Sequence, residues 1–546
     1  VLYSLLLPIG PNDFWYHARA GRAIGETGQI PTTNLFTTNP PWVSPQTPFH
    51  YQSWIAEWLI YQTLKWGGLS GIVIQRSLCL VIAWIFITWA AWRRAKRALE
   101  NLAVLDESWQ TPLAQSAAAG ALLAMLMGCN NFDTRPQMYS VPLFGFLVWA
   151  IFEWAHTTPS QRRWLVAAIA LSIGFWANLH GAFFTSLLLL GALVAGEVIY
   201  ARLAPASMAR AWGEKLTPSH QKALLAVFVL AALAVLFNPR GAEIYAYVWK
   251  LANNQTGQKY IQEWQAPEFS LTEWHSLLFY LTLPILVLLW LLVRGRARSS
   301  KYFEDTKRAH PELGFSGVRV AELLVLSVLL TMALRDKRSI LWFGMCAAPL
   351  WSALLISLRG LAVSRKQQPQ PVPRATWFFN AALGALLCSS VVPLLPQFKA
   401  SLPWPPEFRQ RFAPTPQGEF PLGFGGDPPL LLENSTPVRA VEFWKRNPPR
   451  GRIWHVMDYG SYMMWALDGY LMPTSDPRIE LYPDSFWDEY ARLMNGPADA
   501  PYWLKQRDFS DALLATKLHE RLIVRLKQAG WKVVLQNEPW TLLRAG

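Results

Sequence analysis

Charge is scarce in this chain: Asp, Glu, Lys and Arg together make up 16% of its 546 residues, where a soluble domain carries about 25%. Cysteine is scarcer still, with four residues, Cys79, Cys129, Cys346 and Cys388, far apart and in or beside apolar runs. They show neither disulfide-scaffold nor metal-ligand spacing. A Gly-rich phosphate loop and an internal repeat are missing as well. These gaps exclude a disordered chain, a disulfide-stapled domain and an ordinary cytosolic enzyme. What is abundant is apolar surface, at 52% of residues, with 29 Trp and 40 Pro.

The apolar residues come in runs nearly free of charge, at 69–92, 112–128, 141–155, 164–177, 182–200, 223–237, 276–293, 320–334, 340–358 and 376–396. A bilayer-spanning helix needs roughly 17–25 such residues. Several runs reach that alone, and flanking aromatic and small residues complete the others. Residues 1–9 read as the last turns of an earlier span. The sequence therefore predicts about 11 transmembrane helices in a body covering 1–396, followed by a linker and a small soluble α/β domain over 397–546.

Lys and Arg collect in cytoplasmic loops, which gives a test of orientation. If residues 1–9 exit outward, the inner loops 93–111, 156–163, 201–222, 294–317 and 359–375 hold about 20 basic residues in about 90 positions. The outer loops 11–67, 129–140, 178–181, 238–273 and 335–338 hold about 10 in about 113. The bias places the C-terminal domain outside the cytoplasm. That domain is nearly neutral, with about 18 basic against about 17 acidic residues. The net charge of +14 thus belongs to the membrane body, where topology and anionic headgroups account for it. Nucleic acid is not an expected partner.

From Arg452 the texture changes. The sequence predicts a strand from Arg452, a short helix at 461–467, helices at 485–494 and 517–529, and closing strands at 532–536 and 540–544.

Polar residues gather on the outer side: Asn12-Asp13-Phe14-Trp15-Tyr16-His17, then Trp54 and Glu57 in the long loop 11–67, and Asp133-Thr134-Arg135-Pro136. Asn178-Leu179-His180-Gly181, Asn238-Pro239-Arg240-Gly241, Glu263-Trp264 and Arg335-Asp336-Lys337-Arg338 complete the ring. In this order, over about residues 1–340, they resemble the GT-C superfamily, and the stretch from Asp458-Tyr459-Gly460-Ser461-Tyr462 to Asp476-Pro477-Arg478 also resembles that group. Within it they are most similar to bacterial family-39-like, dolichyl-phosphate-mannose-type membrane glycosyltransferases. The resemblance implies a GT-C-like fold in a bacterial inner membrane. It also implies transfer of a sugar from a polyprenyl-phosphate carrier to a periplasmic or surface glycan or protein, usually with inversion.

An inverting displacement needs a proton acceptor, and Asp13 is the catalytic candidate. Charge growing on the leaving phosphate calls for cations, and Arg135, Arg335 and Arg338 are the candidates, with Arg76 reaching from within its span. His17, Glu57 and His180 are candidates for phosphate or sugar contacts. The resemblance often carries a divalent metal, Mg or Mn, for which Asp13 and Glu57 are the candidate ligands. The chain departs from the family in having no second carboxylate adjacent to Asp13. This motivates an alternative: a catalytically silent GT-C-like scaffold or accessory subunit among other membrane subunits. Transport has less support, because ionisable residues within the spans are few and Arg319 and Glu322 can pair at one helix end. Two simpler readings stand beside the functional ones: Asp13 can cap a helix starting near Phe14, and the tryptophans can form an interfacial belt. Trp15, Trp54 and Trp58 are the exceptions to that belt, as candidates to pack a sugar face or prenyl chain.

Overall fold

The computed structural model describes residues 2–102, 107–203, 216–299, 319–362 and 431–546, with scattered positions between 378 and 406. Part of the expected span at 376–396, most of the Pro-rich linker at 402–430, Cys388 and most of the inner loops 294–317 and 359–375 lie outside the described residues.

The chain is a multi-spanning α-helical membrane protein with a small C-terminal α/β domain. Its helices begin with α1 (Leu2–Leu6), the amphipathic α2 (Phe14–Thr27) and α3 (Trp54–Asn101). Then come α4 (Gln110–Gly128), α5 (Gln137–Glu153), α6 (Pro159–Trp176), α7 (Phe183–Leu203) and α8 (Pro218–Val235). Two short helices, α9 (Glu243–Ala252) and α10 (Gln255–Tyr260), precede α11 (Trp274–Ser299), α12 (Val320–Arg335) and α13 (Ile340–Ala362). Nine of the ten predicted runs thus fall on helices. Seven of the described helices are long and apolar enough to cross a membrane. Among the others, α12 is 16 residues long and α6 carries Arg162 and Arg163 near its start.

Helix α13 is the most enclosed of the seven and packs along α3 and α4. Small residues permit that approach: a Cβ on Gly120 would lie 2.5 Å from the Ala348 carbonyl oxygen. Helix α3 is two pieces. Gly68 adopts φ 59°, ψ −158° and breaks an amphipathic segment from the span that follows. A side chain there would be strained in that left-handed region. At the other end of the bundle Arg93 and Arg97 pair with Glu153, Arg94 with Glu322, and Arg319 with Glu197. Arg319 and Glu322 therefore do not pair through their side chains as expected, since each reaches a neighbouring helix. These ion pairs close one end of the bundle and form no relay across it.

The C-terminal domain contains α14 (Val438–Arg446), β1 (Arg452–His455), α15 (Met457–Ala466), α16 (Asp484–Met494), α17 (Ala500–Gln506), β2 (Phe509–Ala515), α18 (Glu520–Gln528), β3 (Lys532–Gln536) and β4 (Trp540–Arg544). Its sheet has the order β1-β2-β4-β3, with β1 parallel to β2 and the other pairs antiparallel. The sequence-based expectation missed β2. As an inner strand it is buried along nearly its whole length, so the polar alternation that marks a half-exposed strand is absent.

The domain is not a detached appendage, because its core is continuous with that of the body. Leu431, Leu432, Val438, Tyr459 and Tyr462 join the same apolar cluster as Ile9, Phe14 and Trp15. Ile9 forms a parallel bridge with Leu432. Arg478, fully enclosed, contacts Asp476 at 2.8 Å and donates to Asn34 Oδ1 at 2.7 Å and Thr37 Oγ1 at 2.9 Å. It thereby fastens the domain to the first outer loop.

Helix α2 seats on the start of α3 at Gly21, where an added Cβ would lie 1.9 Å from the Glu57 carbonyl oxygen. That atom is backbone and cannot rotate away. Gly21→Ala is expected to destabilise the protein by about 1–3 kcal/mol through overpacking, read as a lowered thermal midpoint of the detergent-solubilised protein.

Candidate functional site

The ring of outer polar residues closes around one cavity of about 1010 Å³. Asp13, His17, Glu57, Arg135, His180, Arg335 and Arg338 all line it. Arg76 does not. Its guanidinium donates to Thr134 Oγ1 at 2.8 Å, to Leu7 O at 2.7 Å and to Ser4 O. It holds the end of α1 against α3, so the expected reach toward a lipid phosphate is corrected to a structural tie. The cation is enclosed and satisfied by carbonyls that α1 leaves unpaired.

Asp13 stands immediately before α2 but does not cap it, contrary to the simpler expectation. Its backbone is already helical and its side chain makes no capping bond. Asn12 Oδ1 instead accepts the Phe14 N–H at 3.1 Å. Asp13 is therefore free to turn to Arg135, with Oδ1 2.9 Å from Nε. Arg135 also contacts Glu263 at 2.8 Å and Asp133 at 3.5 Å, which leaves it clamped among carboxylates rather than open to a phosphate. Burial pushes the Asp13 carboxyl up to about 6, against the opposing pull of Arg135. Asp458, brought in by the first turn of α15, also lines the cavity and is likewise pushed up to about 6, chiefly by burial.

On another wall His17 Nδ1 lies 3.0 Å from Glu57 Oε1, and Glu57 is almost wholly enclosed. Burial, then the neighbouring His180, hold His17 well below the usual imidazole range. His180 sits in the turn after α6. The Ala182 N–H donates to its Nδ1 at 3.2 Å, and the Ser140 hydroxyl, which accepts from Trp176 Nε1 at 2.8 Å, is 3.1 Å away. A backbone N–H can only donate, so the His180 proton resides on Nε2. Burial, with Arg338 and Arg135 nearby, pushes its pKa down to about 3 and keeps the ring neutral. Asn238 Nδ2 braces the same turn through Ala177 O at 3.0 Å and Asn178 Oδ1 at 3.2 Å, and Trp54 Nε1 donates to Asn178 Oδ1 at 2.8 Å. Motifs far apart in sequence thus meet at one turn.

The cations of the third wall differ in availability. Lys337 is enclosed and paired with Glu273. Arg335 donates to Ala252 O at 2.7 Å. Arg338 lies over the Trp264 ring, 4.1 Å from its centroid, with Asp336 3.7 Å away, so most of its donors face the cavity unclamped. Beside it the lining turns apolar, with Phe184, Leu188, Trp249 and Met332. The aromatic residues singled out from sequence do not line the cavity. Trp15 is buried against Tyr462, Trp54 braces the turn, and Trp58 is exposed. Trp249, Trp264 and Trp342 line it instead.

Asp13 and Glu57 do not fit a shared metal site, since one faces Arg135 and the other His17. Among the described residues no three His, Cys, Asp or Glu side chains converge as metal ligands.

No protein-family model matches the chain, and no curated protein matches it. The fold is similar to that of ArnT from Cupriavidus metallidurans bound to undecaprenyl phosphate, at 12% identity and a TM-score of 0.41, over 100% of this chain and 96% of that one. It is also similar to the apo oligosaccharyltransferase of Archaeoglobus fulgidus, at 13% identity and a TM-score of 0.40, over 93% of this chain and 66% of that one.

Sequence reading assigned no site role to the residues of the C-terminal domain that close the cavity: Met457, Asp458, Pro477, Arg478 and Glu480. The signal available was the pairing of Asp458 with a Tyr-Gly run and of Arg478 with Asp476, in a domain otherwise ordinary in its charge.

Proposed function

We propose that the protein is an integral-membrane glycosyltransferase of GT-C type in a bacterial inner membrane, with its C-terminal domain on the extracytoplasmic side. It moves a sugar from a polyprenyl-phosphate carrier to a periplasmic or surface acceptor. The observation that carries this reading is one juxtaposition: carboxylates pushed up to about 6 around Arg135, and the unclamped guanidinium of Arg338, facing one cavity.

In the transfer, the acceptor oxygen attacks the anomeric carbon and gives its proton to a carboxylate of the Arg135 group. The bond from that carbon to the phosphate oxygen breaks, and the electron pair stays on the lipid phosphate. Arg338, supported by Arg335, stabilises the growing charge, and the neutral Nε2–H of His180 offers a donor that costs no charge burial. The apolar wall of Phe184, Leu188, Trp249 and Met332 suits the carrier's isoprenoid chain.

Purified protein incubated with radiolabelled polyprenyl-phosphate sugars and membrane acceptors tests the reading. Label transfer that falls at least about tenfold in Asp13→Asn is the expected result. Transfer unchanged in that variant would remove Asp13 from the reaction. No transfer from any donor would favour the accessory-subunit alternative.

A further inference from the structure

We propose that Asp458 of the C-terminal domain, rather than Asp13, takes the acceptor's proton, with Asp13 and Arg135 as its positioning pair. This rests on the transfer reaction proposed above. The first outer loop offers Asp13 with no second carboxylate beside it, and the fold brings one in from the other end of the chain.

Most carboxylates of the cavity are already engaged. Asp13 and Glu263 are held by Arg135 at 2.9 and 2.8 Å. Glu57 is engaged with His17 at 3.0 Å, and Glu273 with Lys337. Asp336 accepts the Ser339 N–H at 2.9 Å, and Glu480 accepts the Tyr247 hydroxyl at 2.8 Å. Among the described residues lining the cavity, Asp458 is the carboxylate with neither an ion pair nor a hydrogen bond. A general base needs an oxygen free to meet the substrate proton at about 2.6–3.2 Å; Asp13 holds Oδ1 against the Arg135 guanidinium, whereas neither oxygen of Asp458 is engaged.

The position of Asp458 is fixed by its helix. The Met457 N–H donates to the Tyr490 hydroxyl at 2.8 Å, Tyr462 packs on Trp15 with ring centroids 5.1 Å apart, and a Cβ on Gly460 would lie 2.0 Å from Ser475 O. Helix α15 therefore cannot slide without breaking backbone-close contacts. The groups facing Asp458 are Arg135, Glu263, Glu433 and Asp13, with Tyr459 and Tyr490 from its own domain. In the step itself the acceptor O–H bond breaks, the proton goes to an Asp458 oxygen, and the acceptor oxygen's electron pair forms the glycosidic bond. The pair from the broken anomeric bond leaves on the lipid phosphate.

The test is the label-transfer assay on full-length wild type, Asp458→Asn, Asp458→Glu and Asp13→Asn between about pH 4.5 and 8. Wild-type activity is expected to fall as pH drops through about 6, because the base must be ionised. Asp458→Asn should lower kcat about 100-fold with KM for the donor within about twofold, and should lose that acid limb. Asp458→Glu, which keeps a carboxylate, should retain the limb at a reduced rate and guards against a folding artefact. Asp13→Asn should keep the limb but move it to lower pH, since removing a neighbouring negative charge leaves the pull of Arg135 on Asp458 less opposed. The proposal is overturned if Asp458→Asn keeps the wild-type kcat and limb, or if Asp13→Asn abolishes the limb. Absence of transfer by the unsubstituted protein would overturn both this and the functional reading.

Discussion

Replacing Arg478 with methionine is expected to destabilise the protein by about 3–5 kcal/mol, the largest stability effect anticipated for a single side chain here. Arg478 and Asp476 are both fully enclosed, so solvent screening gives no relief. Methionine keeps much of the volume but leaves Asp476 as a buried carboxylate without a counter-charge, whose remaining partners are Thr37 Oγ1, the Tyr482 hydroxyl and the backbone N–H of residue 478, at 2.7, 2.8 and 3.0 Å. Three ties between the C-terminal domain and the outer loop, to Asn34 Oδ1, Asn34 O and Thr37 Oγ1, disappear with the guanidinium.

The pH dependence follows from the sign of the shift. Burial alone would raise the Asp476 carboxyl, but Arg478 and the hydroxyl donors outweigh it and hold the group below its ordinary value of 3.8. Its contribution is therefore in place above that value and is lost as pH falls below it. In the variant the balance reverses: the unpaired carboxylate is penalised at neutral pH, and protonation relieves it. The stability gap between wild type and variant should be widest near neutrality and narrow toward pH 4. Thermal midpoints at several pH values check this, and limited proteolysis should show the C-terminal domain cut first.

Replacing Arg338 with alanine is expected to lower kcat by about 10²–10³-fold while leaving the fold intact. This is the largest effect anticipated for a group facing the leaving phosphate. Its side chain is partly exposed and held chiefly over Trp264, and its loose partner Asp336 keeps the Ser339 N–H at 2.9 Å when the guanidinium is removed. Lys337 cannot substitute because Glu273 holds it in an enclosed position, and Arg135 cannot because three carboxylates surround it. Arg338→Lys should give an intermediate rate, since it keeps the charge but loses the planar fork that matches phosphate oxygens. A kcat equal to wild type in Arg338→Ala, measured at saturating lipid donor, would remove the phosphate role.

Much of the candidate site was legible because each member sits in a short polar cluster at the end of an apolar run. Asp13, His17, Glu57, Arg135, His180, Arg335 and Arg338 were each conspicuous as charged or imidazole groups beside hydrocarbon, and all seven line the cavity. Arg76 was conspicuous for the same reason and misled. Sequence marks a buried cation as needing partners, but not whether backbone carbonyls such as those of Ser4 and Leu7 supply them. Asp458 stood out only as part of a stretch that resembles the family, with no site role, because an aspartate in a polar domain carries no such contrast.

The sequence by itself determined the membrane body, the apolar helices among its described residues and the polar clusters at their ends. Those properties follow from apolar run length and loop charge, which are local sums along the chain. Only the tertiary structure decided which charges remain available. Pairing depends on distances between residues hundreds of positions apart, as when Arg135 is enclosed by Asp13 and Glu263, Arg478 reaches Asn34, and Asp458 arrives unpaired at the same cavity. An ion's chemistry is set by its nearest neighbours in space, and burial amplifies their influence.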